Sequence, residues 1–148
     1  MNLKFWMGFI LMFVFGCLLA GVAFSAESMD RDRAVRAIIG EAEGEGYDGM
    51  YAVACGLRNR GSFDGVYGDR AVILHKGRLW RFKDGQPQYE ISTEIIQKAG
   101  KAWSNAEWGE DVTGGATHWE NIDQFGVPYW ARGLKKTAKI GSHTFYKT

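Results

Sequence analysis

From Phe5 to Ala26 the chain runs for 22 residues without a charge, FWMGFILMFVFGCLLAGVAFSA, behind the positive flank of Lys4. Such a segment meets a membrane. It leaves about 120 residues for folding in water, the size of one ordinary domain. The ending Ala23-Phe24-Ser25-Ala26 presents small residues where a signal peptidase cuts, so residues 1–26 read as a signal peptide cleaved before Glu27. The run exceeds the usual signal core of about 7–15 residues and could span a hydrocarbon layer of about 30 Å, so a retained signal-anchor is the alternative. Gly8, Gly16, Ala20, Gly21 and Ala23 weaken its hold on lipid and leave room for close helix packing. Val14-Phe15-Gly16-Cys17 has the outline of a lipoprotein box, for which Phe15 is bulky.

The formal charge is +1, from 18 basic and 17 acidic residues, and falls to zero when Lys4 leaves with the leader. No bulk field draws the domain to nucleic acid. Locally, Arg132, Lys135, Lys136 and Lys139 form a basic run that either faces solvent or meets a polyanion. With Cys17 in the leader, Cys55 is alone in the domain and no internal disulfide can form. Stability must therefore come from buried apolar surface, and Cys55, beside Ala52, Val53 and Leu57, reads as a small core residue.

Ala34, Val35, Ile38, Ile39 and Ala42 recur at helical spacing, so a first helix is expected from an Asp30 cap, with Arg31, Asp32, Arg33 and Arg36 facing water and Gly44 and Gly46 stopping it. Asp48 is expected to cap a second helix through about Arg58, with Met50, Val53, Ala54 and Leu57 inward. Asn59-Arg60-Gly61 should end it, Asn59 as C-cap and Arg60 as a surface charge. Between Ser62 and Gln88, Val72-Ile73-Leu74 and Leu79-Trp80-Arg81-Phe82-Lys83 are strand-like, and Lys83-Asp84-Gly85 suggests a small hairpin. A third helix is expected over about Ser92 to Trp103. The glycine- and aromatic-rich tail beyond it should be loop and short strand. The sum is an α+β domain, mainly helical, with a small β-hairpin region behind an N-terminal apolar helix.

Three carboxylates, Glu41, Glu43 and Glu45, alternate where the first helix ends. Alternate residues on a helix point about 200° apart, so they cannot share one face. Glu41, three residues after Ile38, lies beside the apolar stripe. Glu43 falls to the solvated side and Glu45 beyond the first terminating glycine. A carboxylate at a helix C-terminus feels the negative end of the macrodipole, and partial burial adds desolvation; both raise its pKa. A raised pKa suits a general acid that holds its proton near neutrality. A solvated helix end is the plainer reading of the same pattern.

Around it, Trp103, Trp108, Trp119, Phe125, Tyr129, Trp130, Phe145 and Tyr146 mix with Asn and Gln in a way that suits a sugar-binding groove, although core packing accounts for some of them. His75, His118 and His143 form no His-x-x-x-His or His-Glu-x-x-His pair, so no metal or other cofactor is expected, and Gly114-Gly115 matches no phosphate loop.

The run AIIGEAEGEGYDGMYAVACGLRNR resembles the signature of the SleB/CwlJ family of cell wall hydrolases, with its Gly-Glu-Ala-x-Gly-Glu segment and a following Gly-x-x-Ala-Val-Ala helix ending in Asn-Arg. In the tail, GGATHWEN and IGSHTFY resemble the family's Gly-Ala-x-x-Phe/Tyr and Ile-Gly-x-His-x-Phe segments, in family order. Thr-His-Trp-Glu-Asn is more like bacteriophage-borne or Gram-negative relatives than spore germination enzymes. Phe63 to Gln88 follows the family weakly.

The resemblance implies a lysozyme-like fold over residues 27–148 and cleavage of peptidoglycan glycan strands, as a lytic transglycosylase with Glu41 as its one catalytic carboxyl group. Glu45, His118, Trp119, Glu120, Asn121, Tyr129, Trp130 and His143 are the expected substrate-binding set; His118, Glu120, Asn121 and His143 would hold acetamido groups or orient Glu41, or else fasten the tail to the core. A hydrolytic muramidase would need a second carboxylate from Glu45, Glu120 or Asp123. The rivals are a zinc-dependent N-acetylmuramoyl-L-alanine amidase and a non-catalytic wall-binding module. The expected protein is a monomer exported to the cell envelope, with residues 5–26 able to tether it to the inner membrane.

Overall fold

Residues 31–42 form a helix, α1, at the start of the computed structural model, which describes residues 31–148. Its apolar stripe is inside: Ala34, Val35, Ile38, Ile39 and Ala42 are all buried. Arg33 and Arg36 are not simply solvated as expected. Arg33 Nε lies 2.8 Å from Asp69 Oδ2, and Arg36 donates to the carbonyls of Asp69 and Val72, tying the flank of α1 to the segment beyond α2. The expected Asp30 cap and the leader lie outside the described residues.

A 3-10 turn, Glu43–Glu45, joins α1 to α2, Gly46–Arg60. The second helix thus starts two residues before Asp48, with Glu45 at the cap position and no side-chain cap bond. Gly61, left-handed at φ 65°, ends it and donates to Leu57 O at 3.0 Å. Asn59 is therefore not the C-cap. Its amide instead donates to Asp111 Oδ2, Thr113 Oγ1 and Ala116 O, while Arg60 donates to Asp64 O and Thr117 O, so both fasten neighbouring loops. Met50, Val53, Ala54 and Leu57 pack inward as the spacing predicts.

The chief partner of α2 is α4, Thr93–Trp108. Ser92 caps it, accepting from the Ile95 N–H at 3.3 Å, and it runs five residues beyond the expected end at Trp103. Arg58 binds the two helices, its guanidinium 3.8 Å from the Trp103 ring centre and donating to the Trp103 carbonyl.

After a short helix α3, Gly68–Ala71, come three antiparallel strands: β1 Val72–His75, β2 Arg78–Lys83 and β3 Gln86–Glu90. The Asp84-Gly85 turn is where the sequence placed it, with both residues at positive φ, and Lys76-Gly77 makes a second turn of the same kind. The expected hairpin is thus a three-stranded sheet. Its edge strand β3 has all five residues exposed and tolerates Pro87 for that reason.

The tail forms a second sheet in the order β4, β6, β5, from β4 His118–Glu120, β5 Lys135–Ile140 and β6 His143–Lys147. Between β4 and β5 lie α5, Ile122–Phe125, and a 3-10 turn, Tyr129–Gly133. Trp119 and Phe145 are register partners on the face toward α2, where Gly56 admits the indole: a Cβ there would sit 2.9 Å from the ring. His118 and Tyr146 are paired on the other face, beneath Trp130, whose ring centre is 5.4 Å and 5.7 Å from theirs. Residues 33–148 make one unit, and no helix among the described residues is long and apolar enough to cross a membrane.

Candidate active site

Glu41 occupies the last turn of α1, partly exposed among buried neighbours. Its Oε1 accepts the Gly68 N–H at 2.9 Å. That bond depends on two glycines in backbone contact. A Cβ on Gly40 would lie 2.0 Å from the Gly68 carbonyl oxygen, and one on Gly68 would lie 2.5 Å from Ala37 O and 2.8 Å from Glu41 Cγ. No side chain fits between, so the start of α3 reaches the carboxylate directly.

Desolvation raises the Glu41 pKa above the ordinary carboxyl value of 4.5; the Gly68 N–H, the His143 ring and the Trp119 indole oppose it, and the Glu120 charge adds to it. The negative end of the α1 dipole acts in the same direction as burial.

Glu43 is not on a solvated face. Its Oε2 accepts from Arg81 Nη2 at 2.5 Å, Arg81 Nε at 3.2 Å and the Tyr89 hydroxyl at 2.9 Å. Arg81 also donates to the carbonyls of Ile39 and Gly40, at 3.1 and 3.2 Å, which α1 leaves open at its C-terminus. Arg81 and Tyr89 face each other across β2 and β3, so the first sheet grips the helix end on both sides of Glu41 in sequence. No motif announces this contact, which joins residues 38 to 46 positions apart.

Glu45 turns toward the tail. Its Oε1 accepts from the Ser142 N–H at 3.2 Å and from the Ser142 hydroxyl, and lies 3.0 Å from His143 Nδ1. The histidine contact is close but not aligned as a hydrogen bond, leaving Glu45 Oε2 and His143 Nδ1 buried without such a partner. Gly49 and Gly141 wall the carboxylate in; a Cβ on either would come within 2.6 Å of Oε2. Glu45 and His143 thus face each other rather than an open groove.

Of the other expected binding residues, Trp119 reaches from β4 toward Glu41. His118 accepts or donates through Nδ1 to Thr117 Oγ1 at 2.9 Å, and burial and nearby Arg60 lower its pKa, favouring the neutral ring. Glu120 Oε1 accepts the Asn121 N–H at 2.9 Å, and Asn121 caps α5 by accepting from the Gln124 N–H at 3.1 Å. Asp123 pairs with Lys139 at 2.6 Å. Tyr129 and Trp130 are exposed at 85% and 39%, whereas Phe145 and Tyr146 belong to the interior. Cys55 is buried, and burial raises its thiol pKa, as suits a core residue. Among the described residues no three His, Cys, Asp or Glu side chains converge as metal ligands.

The arrangement brings together a carboxyl group whose burial favours its acid form and an indole beside it, while Tyr129 and Trp130 lie in the 3-10 turn, Trp130 over the face of the second sheet opposite Trp119. Sequence reasoning named Glu41 and the rings but missed Gly68 and Arg81.

Residues 44–146 match the profile of the Cell Wall Hydrolase family, beginning three residues after Glu41. Two solved structures are similar. The catalytic domain of the Bacillus cereus SleB protein is 31% identical over 80% of this chain and 89% of its own, with a TM-score of 0.53. The catalytic domain of the germination-specific lytic transglycosylase SleB from Bacillus anthracis is 28% identical over 80% of this chain and 93% of its own, with a TM-score of 0.54. No curated protein is similar enough to count as a match. With the family profile covering well over half of its length, the chain belongs to the Cell Wall Hydrolase family.

Proposed function

We propose that this protein cuts the glycan strand of peptidoglycan between N-acetylmuramic acid and N-acetylglucosamine as a lytic transglycosylase, with Glu41 as the single general acid and base. The observation that carries the proposal is the Glu41 carboxyl group, desolvated at a helix C-terminus and held by one backbone N–H. The likeness to a domain described as a lytic transglycosylase supports the same chemistry.

Protonated Glu41 gives its proton to the glycosidic oxygen as the bond to the muramyl C1 breaks, leaving an oxocarbenium-like centre. The carboxylate then takes the proton of the muramyl C6 hydroxyl, whose oxygen closes on C1 to form a 1,6-anhydro ring. The glutamate ends protonated, and neither water nor a second carboxylate is consumed. Trp119 helps fix the Glu41 carboxylate, and the exposed rings of Tyr129 and Trp130 offer stacking surfaces to sugars.

A hydrolytic muramidase is the second reading, supported by one observation: the negative charge of Glu120 adds to the rise in the Glu41 pKa. Glu45 and Asp123 are already engaged with Ser142 and Lys139. The substrate lies outside the cytoplasmic membrane, and residues 5–26 are the proposed means of export or tethering. Mass analysis of the soluble products decides: anhydromuramyl ends support the proposal, reducing muramic ends support the muramidase, and released peptides would point to an amidase.

A further inference from the structure

The fold divides the three alternating carboxylates at the end of α1 between its two sheets. Glu43 takes Arg81 and Tyr89 of the first sheet, and Glu45 takes Ser142 and His143 at the turn between β5 and β6 of the second. Glu41 lies between them in sequence. The Glu43 contact stabilises plainly, a carboxylate meeting a guanidinium and a hydroxyl. The Glu45 contact is made at a cost. Glu45 Oε2 and His143 Nδ1 are buried without a hydrogen-bond partner among the described residues, on side chains only 13% and 7% exposed. An apolar pair filling the same space would avoid that penalty, so the arrangement points to a role other than stability.

What this contact carries is one wall of the site. His143 and Phe145, two residues apart on β6, share one face of the second sheet, and Phe145 is the register partner of Trp119. Their rings form a row, His143 to Phe145 at 6.3 Å between centres and Phe145 to Trp119 at 6.4 Å. This face looks toward α2, where the indole lies against Gly56, and is opposite the one that carries His118, Tyr146 and Trp130. Trp119 reaches Glu41 from it, and the His143 ring is near enough for its charge to act there. Glu45 itself is closed off from a substrate. Gly49 and Gly141 cover its Oε2, and a Cβ on either would lie within 2.6 Å of that atom.

Resting on the glycan-cleaving function proposed above, we infer that Glu45 is a positioning residue: by seating the Ser142-His143 turn on the joint between α1 and α2, it sets the row of His143, Phe145 and Trp119 against the Glu41 carboxyl group. It acts on the reaction through that row and touches no sugar.

The test measures kcat and KM for peptidoglycan cleavage by the full-length chain in neutral detergent, at a temperature where every variant is folded. In Glu45→Ala the turn loses its acceptor, and kcat should fall about ten- to hundredfold while KM changes less than about twofold. Glu45→Gln keeps an oxygen for Ser142 and should lose less. Trp119→Phe should also lower kcat, and the double variant Glu45→Ala/Trp119→Phe should lose little more than the larger single loss, because both changes remove the same support. Arg58→Met, which frees α2 from the Trp103 carbonyl of α4, should lower Tm and keep kcat. Should Glu45→Ala fail to fold, Ser142→Ala removes one donor alone and should show the same split at about two- to tenfold. Full kcat in Glu45→Ala beside an active parent overturns this inference and leaves the glycan-cleaving function standing. A raised KM at unchanged kcat does so too, since it would make Glu45 a substrate ligand. Additive losses in the double variant, or an equal fall of kcat in Arg58→Met, likewise overturn the inference by making lost stability sufficient. No cleavage by the parent overturns both.

Discussion

Removing the Arg81 guanidinium should loosen the helix end that carries Glu41. In Arg81→Met the Glu43 carboxylate keeps only the Tyr89 hydroxyl, and the carbonyls of Ile39 and Gly40 lose their donor. Both members of the ion pair are 19% exposed, so the pair sits between the weak surface case and the strong buried one. Charge-assisted bonds of this kind contribute about 1.5–3 kcal/mol, and we expect a loss of about 2–3 kcal/mol. For a domain of this size that is a fall of about 10 °C in Tm. Glu43→Gln should lose less, because its amide still accepts a bond from Arg81. The double variant should show coupling of about 1 kcal/mol or more, measured by denaturant unfolding of all four proteins. Activity should fall with stability held equal by temperature, since the freed helix end no longer keeps Glu41 against Gly68. Strictly additive losses, within about 0.5 kcal/mol, would refute the coupling on which this clamp rests.

Other consequences follow from single contacts. Gly68→Ala places its Cβ 2.8 Å from Glu41 Cγ, and overpacking of this kind costs about 1–3 kcal/mol; wall-degrading activity should drop at least about tenfold while circular dichroism stays folded. Because the Glu41 pKa is raised on folding, the native state holds this proton more tightly than the unfolded chain, so its favourable contribution is complete below the ordinary carboxyl value of 4.5 and is lost as pH rises through the raised folded value. Glu41→Gln should therefore melt higher than the parent at pH 7, with the advantage vanishing below about pH 4; a gain that persists at low pH would contradict the assignment. The same sign makes kcat/KM of the parent fall as pH rises through the Glu41 pKa, which a pH–rate profile checks. Asn59→Ala removes three bonds to the loop over residues 111–116 and should cost about 2 kcal/mol in denaturant unfolding without changing the pH profile.

Helical periodicity made much of this fold legible. Ala34, Val35, Ile38, Ile39 and Ala42 are buried because a 3.6-residue repeat leaves them no other face, and Ser92 caps α4 because its hydroxyl meets an open N–H. Asp84-Gly85 was visible as a turn since both positions need positive φ. The strand Gln86–Glu90 was not, because an exposed edge strand has no alternation of apolar residues to reveal it. Asp48 looked like a cap, but the 3-10 turn after α1 starts α2 earlier, at Gly46. In the site, the position of Glu41 beside an apolar stripe could be read from spacing. The engagement of Glu43 by Arg81, of Glu45 by Ser142, and the Gly40–Gly68 contact could not, since each is made between segments whose approach only the fold decides.

The most direct measurement digests purified peptidoglycan with the protein and with Glu41→Gln and identifies the soluble products by mass. Muropeptides ending in 1,6-anhydromuramic acid from the parent, and none from the folded variant, are expected. Undiminished release by Glu41→Gln would contradict the role given to that carboxyl group, and reducing muramic ends in place of anhydro ends would contradict the transglycosylase chemistry.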